Sequence, residues 1–110
     1  PGVAIRAVRE AARLVHGARV RLVLVGMGKL QPYLVHLAHR LGVEAVVTGP
    51  VFGADLTRLM CSWDVLMFPS INPETWGFAP LEALALESTV VTFASGGTAE
   101  FMVDGVTGIV

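Results

Sequence analysis

The chain has 110 residues, 54% of them hydrophobic and 15% charged, with a formal net charge of −1. That length allows one domain at most. So apolar a chain with so little net charge can bury enough surface to offset its ordering entropy, which excludes intrinsic disorder, and no apolar run reaches the roughly 20 residues of a membrane span.

The near-neutral charge also argues against a nucleic-acid footprint, but it hides an asymmetry. Residues 1–40 hold seven of the eight basic side chains and one acid, Glu10, for a net +6; residues 41–110 hold Arg58 against eight acids, for a net −7. The lone Cys61 provides neither a disulfide framework nor a metal cluster, so a reducing, cytoplasmic compartment is expected. No initiator Met and no signal peptide open the chain, and it reads as a piece of something longer.

Taken in order, the elements alternate. Ile5, Val8, Ala12 and Val15 recur at helical spacing and predict a first amphipathic helix. Leu22 to Val25 is a short apolar run ended by Gly26, as in a strand buried on both faces. Leu30, Leu34, Leu37 and Leu41 form a second helical stripe that Gly42 stops. Ala45 to Val47 is a second strand. Asp55 is placed to cap a third helix with the stripe Leu56, Leu59, Met60 and Trp63, beside which Cys61 reads as near-core. Val65 to Phe68, Phe78 to Leu86 and Val90 to Phe93 follow as strand, helix and strand. A short helix near Thr98 to Met102 and an Asp104-Gly105 turn complete the chain. Short strands alternating with helices predict an α/β fold: a Rossmann-like parallel sheet with helices on both faces.

In such sheets ligands bind outside the carboxyl ends of the strands, so the loops there are the informative ones. Gly26-x-Gly28 lacks the third glycine of a dinucleotide fingerprint, because Gln31 occupies that place, and the next strand ends in Thr48 instead of a ribose-binding acid. It is either a plain tight turn or a place where a ligand approaches the backbone, with Lys29 nearby. The third loop is richer. Glu74 precedes the fourth helix and Glu82 lies about one turn inside it, with the first-turn amides of Gly77, Phe78 and Ala79 between them. Acceptor carboxylates beside unpaired donors suit a polyhydroxylated ligand, although two solvated glutamates would have the same spacing. In the fourth loop Gly96-Gly97-Thr98 either lets an oxyanion reach backbone N–H groups or is an ordinary turn. His36 and His39 lie at i and i+3 with no third ligand in evidence, so no metal site is expected.

Together these loops resemble the C-terminal domain of the group 1 glycosyltransferases of GT-B fold. The residues that carry the resemblance are Pro73-Glu74-x-Trp76-Gly77-Phe78-x-x-x-Glu82-Ala83, then Gly96-Gly97-x-x-Glu100, then Asp104-Gly105-Val106-Thr107-Gly108. The resemblance implies an enzyme transferring a hexose from a sugar nucleotide to an acceptor hydroxyl, with retention at the anomeric carbon and without a cofactor or metal. It assigns Glu74, as the catalytic-site carboxylate, to the hydroxyls of the donor sugar, Glu82 to the ribose, and the amides at Trp76, Gly77 and Phe78 to the sugar. It sets Gly96, Gly97 and Thr98 by the diphosphate and Val51 and Phe52 by the nucleobase; Gly26 and Gly28, in the turn where the resemblance begins, are expected among the substrate-binding residues.

It further implies an N-terminal acceptor-binding domain elsewhere in the parent chain and leaves peripheral membrane contact of the parent open. The Arg-x4-Lys diphosphate clamp of the family is missing from these residues. On this reading residues 1–110 are a partial sugar-nucleotide-binding domain, truncated at both ends and inactive alone. Without the strand before its first helix, the sheet would need a gap or a rearranged pairing. A sugar-nucleotide 2-epimerase of the same fold and a non-catalytic nucleotide-sugar-binding scaffold remain as alternatives.

Overall fold

A computed structural model describes residues 1–72 and 75–110. It is α/β, with parallel strands flanked by helices, and it divides into two compact units, Pro1–Phe52 and Gly53–Val110. The four strands form two two-stranded parallel sheets instead of one continuous sheet.

The first unit runs α1 (Gly2–Leu14), β1 (Arg21–Val25), α2 (Gln31–Leu41) and β2 (Glu44–Gly49). α1 buries Ala4, Ile5 and Val8; β1 buries Leu22; α2 buries Leu37 and Ala38. Burying one such large aliphatic chain is worth roughly 1.5–3 kcal/mol. The expected stripe of α1 holds only for its first half. Ala12 and Val15 are exposed, and the helix ends at Leu14 with Val15 already extended. β1 is likewise less buried than its apolar run suggests, because a two-stranded sheet leaves Val25 accessible at its end. α2 stops where Gly42 takes a left-handed conformation, its amide donating to the His39 carbonyl and that of Val43 to Ala38. This double closure satisfies the last carbonyls of the helix.

β1 and β2 pair in register from Arg21 opposite Glu44 to Leu24 opposite Val47. At the head of that ladder Glu44 accepts from two arginines. Arg19 donates through Nε at 2.7 Å and Nη2 at 2.9 Å, and Arg21 through Nε at 2.6 Å. These hydrogen bonds hold the Glu44 carboxyl below its ordinary range, first through Arg19 and then through Arg21.

The second unit runs α3 (Gly53–Met60), β3 (Val65–Phe68), α4 (Phe78–Ala85), β4 (Thr89–Thr92) and a single 3₁₀ turn, Gly97–Glu100, where a short α-helix was expected. Its core joins Met60, Ala83, Val90 and Met102, with Leu56, Trp63, Leu66, Leu84, Leu86 and Phe101 packed around them. Asp55 does not cap α3; it lies in the first turn and pairs with Arg58 at 2.7 Å. Cys61 is exposed because α3 ends one residue earlier and the chain turns outward there.

β3 and β4 pair from Val65 opposite Thr89 to Phe68 opposite Thr92, and the Thr92 hydroxyl donates to the Phe68 carbonyl at 2.9 Å. The other edge of β4 is closed by Ile109, which donates to Val90 and accepts from Thr92. Past α4, Glu87 adopts φ 60°, and the amides of Glu87 and Ser88 close on the carbonyls of Leu84 and Ala83. A non-glycine residue is strained in that conformation.

Two outcomes follow from this architecture. Glu87→Gly removes the left-handed penalty and restores some backbone entropy to the unfolded chain, for a net gain of about 0.5–1 kcal/mol. Urea unfolding followed through Trp63 and Trp76, both in the second unit, checks this; a loss of stability contradicts it. Glu44 has a depressed pKa, so its contribution is complete above the usual carboxylate range and is lost as pH falls through the depressed value. Thermal unfolding between pH 6 and 2 is therefore expected to show a shallower acid loss in Glu44→Gln than in the parent chain, and an identical pH profile contradicts the pairing.

Candidate functional site

In each unit the loops at the carboxyl ends of the strands are built differently. In the first unit Gly26, with φ 115°, donates to the Gly49 carbonyl at 2.8 Å and so ties the end of β1 to the end of β2. Its amide is spent on that turn. Gly28 accepts from Gln31 to lead into α2, and the space where its side chain would lie is open. Val51 is half-buried and Phe52 exposed after β2. A shallow depression of about 750 Å3 follows the outer side of α2, lined by Gly28, Lys29, Pro32, Val35, His36 and His39. Among the described residues no three His, Cys, Asp or Glu side chains group as metal ligands.

The second unit brings together the third and fourth loops. Gly77, buried at φ 69° and ψ 62°, precedes α4, and among the described residues no side chain caps that helix. The first backbone bond of α4 runs from the Leu81 amide to the Gly77 carbonyl. The amides of Gly77, Phe78 and Ala79 thus have no backbone acceptor among the described residues, and Pro80 has no N–H to satisfy. Trp76 and Phe78 are both exposed, and Glu82 projects from an exposed position on α4. Glu74 lies outside the described residues, as does Pro73.

The fourth loop turns at Gly96, whose φ 60° and ψ −135° suit glycine alone. Gly97 is buried. A side chain there would strike the Thr75 carbonyl and come within 2.7 Å of the Trp76 Cα, so the glycine exists to let two backbones touch. The amides of Gly97 and Thr98 open the 3₁₀ turn and, among the described residues, have no backbone acceptor. Thr98 is 1% exposed; its side chain faces the loop interior. What sequence reasoning missed is this seat at Thr75 and Trp76 and the bonding of Thr98 to Ser95. Consecutive glycines followed by a threonine were the available signal.

Of the expected site residues, Trp76, Gly77, Phe78, Glu82, Gly96, Gly97 and Thr98 therefore share the second unit, while Gly26, Gly28, Val51 and Phe52 belong to the first. The chemistry of the second unit is set by what it lacks. Arg58 is the only Lys, Arg or His among residues 53–110, and it is paired with Asp55. Within this unit an anion would be met by backbone N–H groups and neutral side-chain donors, not by a free cationic side chain.

Comparison with known proteins agrees with this architecture. The chain is 35% identical over 104 residues to an uncharacterized glycosyltransferase of Methanocaldococcus jannaschii, which covers 93% of this chain and 26% of that protein. It is 37% identical over 118 residues to a D-inositol 3-phosphate glycosyltransferase of Stackebrandtia nassauensis, covering 99% of this chain and again 26% of the relative. The crystal structure of Anabaena HepE in complex with UDP-glucose matches with a TM-score of 0.76 at 29% identity, over 94% of this chain and 30% of HepE. The chain thus spans about a quarter of the length of the curated relatives it matches. The family model for glycosyl transferases group 1 matches residues 3–110, and the chain belongs to that family.

Proposed function

We propose that this chain is the donor-binding part of a glycosyltransferase that moves a hexose from a sugar nucleotide to an acceptor hydroxyl, with retention at the anomeric carbon. The observation that carries the reading is the pair of amide rows in the second unit, Gly77 to Ala79 at the start of α4 and Gly97 with Thr98 at the start of the 3₁₀ turn, set together by the Gly97 contact. Backbone donors at a helix start bind phosphate without cationic side chains, and Arg58 is the sole cation of that unit. The likeness to HepE, solved with UDP-glucose, supports a nucleoside diphosphate sugar as the ligand. The first-unit residues are not needed for this argument.

In the proposed reaction the bond between the anomeric carbon and the diphosphate oxygen breaks, a bond to the acceptor oxygen forms, and the acceptor hydroxyl's proton passes to the departing diphosphate. Negative charge grows on the departing diphosphate, and donors already in place there lower the barrier because they need no reorganisation. Gly97 and Thr98 supply such amides to the phosphate oxygens. Glu82, exposed on α4, accepts from ribose hydroxyls, and the amides from Trp76 to Phe78 donate to the sugar. The family resemblance implies that Glu74 accepts from the hydroxyls of the donor sugar. The acceptor site and the remaining catalytic groups come from the rest of a longer protein, in line with the quarter-length match. The single cysteine supports a cytoplasmic location; among the described residues no helix is long and apolar enough to cross a membrane.

The test uses the whole protein with UDP-glucose. Glu74→Ala is expected to lower transfer by about 100-fold and Glu82→Ala to weaken UDP binding by about tenfold, the scale of one or two hydrogen bonds to a charged group. The 110 residues alone are expected to bind UDP without transferring sugar. Transfer unaffected by Glu74→Ala contradicts the role given to Glu74, absence of transfer in the unsubstituted protein favours a scaffold, and an isomerised sugar nucleotide as product favours an epimerase.

A further inference from the structure

The family resemblance sets Thr98 beside the diphosphate, yet its side chain is among the most enclosed in the molecule. Its hydroxyl accepts from the Ser95 amide at 3.0 Å and lies 2.8 Å from the Ser95 carbonyl and 3.1 Å from that of Phe93. A hydroxyl has one proton and two lone pairs. The proton goes to one of these carbonyls and a lone pair to the Ser95 amide, so the group is committed within its own loop. This closes the chain from Phe93 to Thr98 into a ring that ends at the two amides of the 3₁₀ turn.

The methyl group does a second job. The place where a Gly77 side chain would begin is 2.6 Å from Thr98 Cγ2, so the methyl lies directly on the Gly77 backbone. Next to it Gly97 sits against Thr75 and Trp76. One side chain therefore fixes the fourth loop by its hydroxyl and sets that loop against the residue that opens α4 by its methyl.

We propose that Thr98 is a positioning residue: it holds the Gly97 and Thr98 amides in register with those of Gly77, Phe78 and Ala79, so that a diphosphate meets a donor set assembled before it arrives. The inference rests on the donor-binding reading above. Donors held in place by packing and internal hydrogen bonds bind more tightly because less freedom is lost on binding. Thr98 thus acts through backbone amides and not through its own hydroxyl.

The experiment compares UDP with uridine, which lacks the phosphates, on the whole protein. Thr98→Val keeps the shape and removes the hydroxyl; it is expected to weaken UDP at least tenfold while changing uridine affinity less than twofold. Thr98→Ser keeps the hydroxyl and is expected to weaken UDP by no more than threefold. A role in general stability would lower both ligands together, so proportional losses overturn the proposal, as does UDP affinity of Thr98→Val within twofold of the parent. The methyl contact is tested independently of that variant's folding. Gly77→Ala drives a new Cβ into the methyl, and adding Thr98→Ser removes the obstacle, so the double variant is expected to regain at least threefold in UDP affinity over Gly77→Ala. No recovery overturns the proposal. Failure of the unsubstituted protein to bind UDP overturns the donor-binding reading itself, whereas binding there with an unchanged Thr98→Val overturns only the role of Thr98.

Discussion

The second unit depends on a place where two backbones come closer than any side chain allows. Gly97 lies against the Thr75 carbonyl and the Trp76 Cα, and Gly77 lies against the Thr98 methyl. Glycine supplies both approaches because it has no Cβ to exclude. The consequence is chemical as well as steric. Bringing the two loops together collects five backbone amides that have no backbone acceptor among the described residues, in a unit whose one cationic side chain is paired elsewhere. On the proposed function, recognition of the ligand's phosphates there rests on N–H groups held in position.

The charge asymmetry takes on a sharper form against the two units. Pro1–Phe52 contains seven basic residues and two acids, net +5, whereas Gly53–Val110 contains Arg58 and seven acids, net −6. In the first unit part of that charge is structural: Glu44 is clasped by Arg19 and Arg21 where the parallel ladder begins, and Glu10 pairs with Arg9 and Arg13 on the outside of α1. In the second unit the net field would oppose the diphosphate of the proposed ligand. Long-range interactions are screened within about 10 Å at ordinary salt, so on that proposal short-range donors decide the outcome.

Much of the architecture was legible in the residues. The alternation of short apolar runs with helical stripes predicted parallel α/β structure, and Val65 to Phe68 is the strand expected. Elements were misjudged where tertiary packing, not periodicity, set the boundary. Ala12 and Val15 continue the spacing of α1 but have nothing to bury against, and Cys61 falls just past the end of α3. The site was legible in part: the motif spacing located the start of α4 and the glycine pair. It did not show why the pair is needed, since the contact of Gly97 with Thr75 and Trp76 joins residues 22 and 21 positions apart in the chain. Nor did it separate the Thr98 amide from its side chain, because a threonine in a glycine-rich loop reads equally well as ligand contact or as internal brace.

On the proposed function, the diphosphate of a sugar nucleotide is received by the assembled amides of the second unit. Amide resonances of the 15N-labelled chain, followed during titration with UDP and separately with uridine, test it most directly. UDP is expected to shift Gly77, Phe78, Ala79, Gly97 and Thr98 together along one saturating curve, and uridine to leave Gly97 and Thr98 in place. Saturable UDP binding that leaves these five amides unmoved would contradict it.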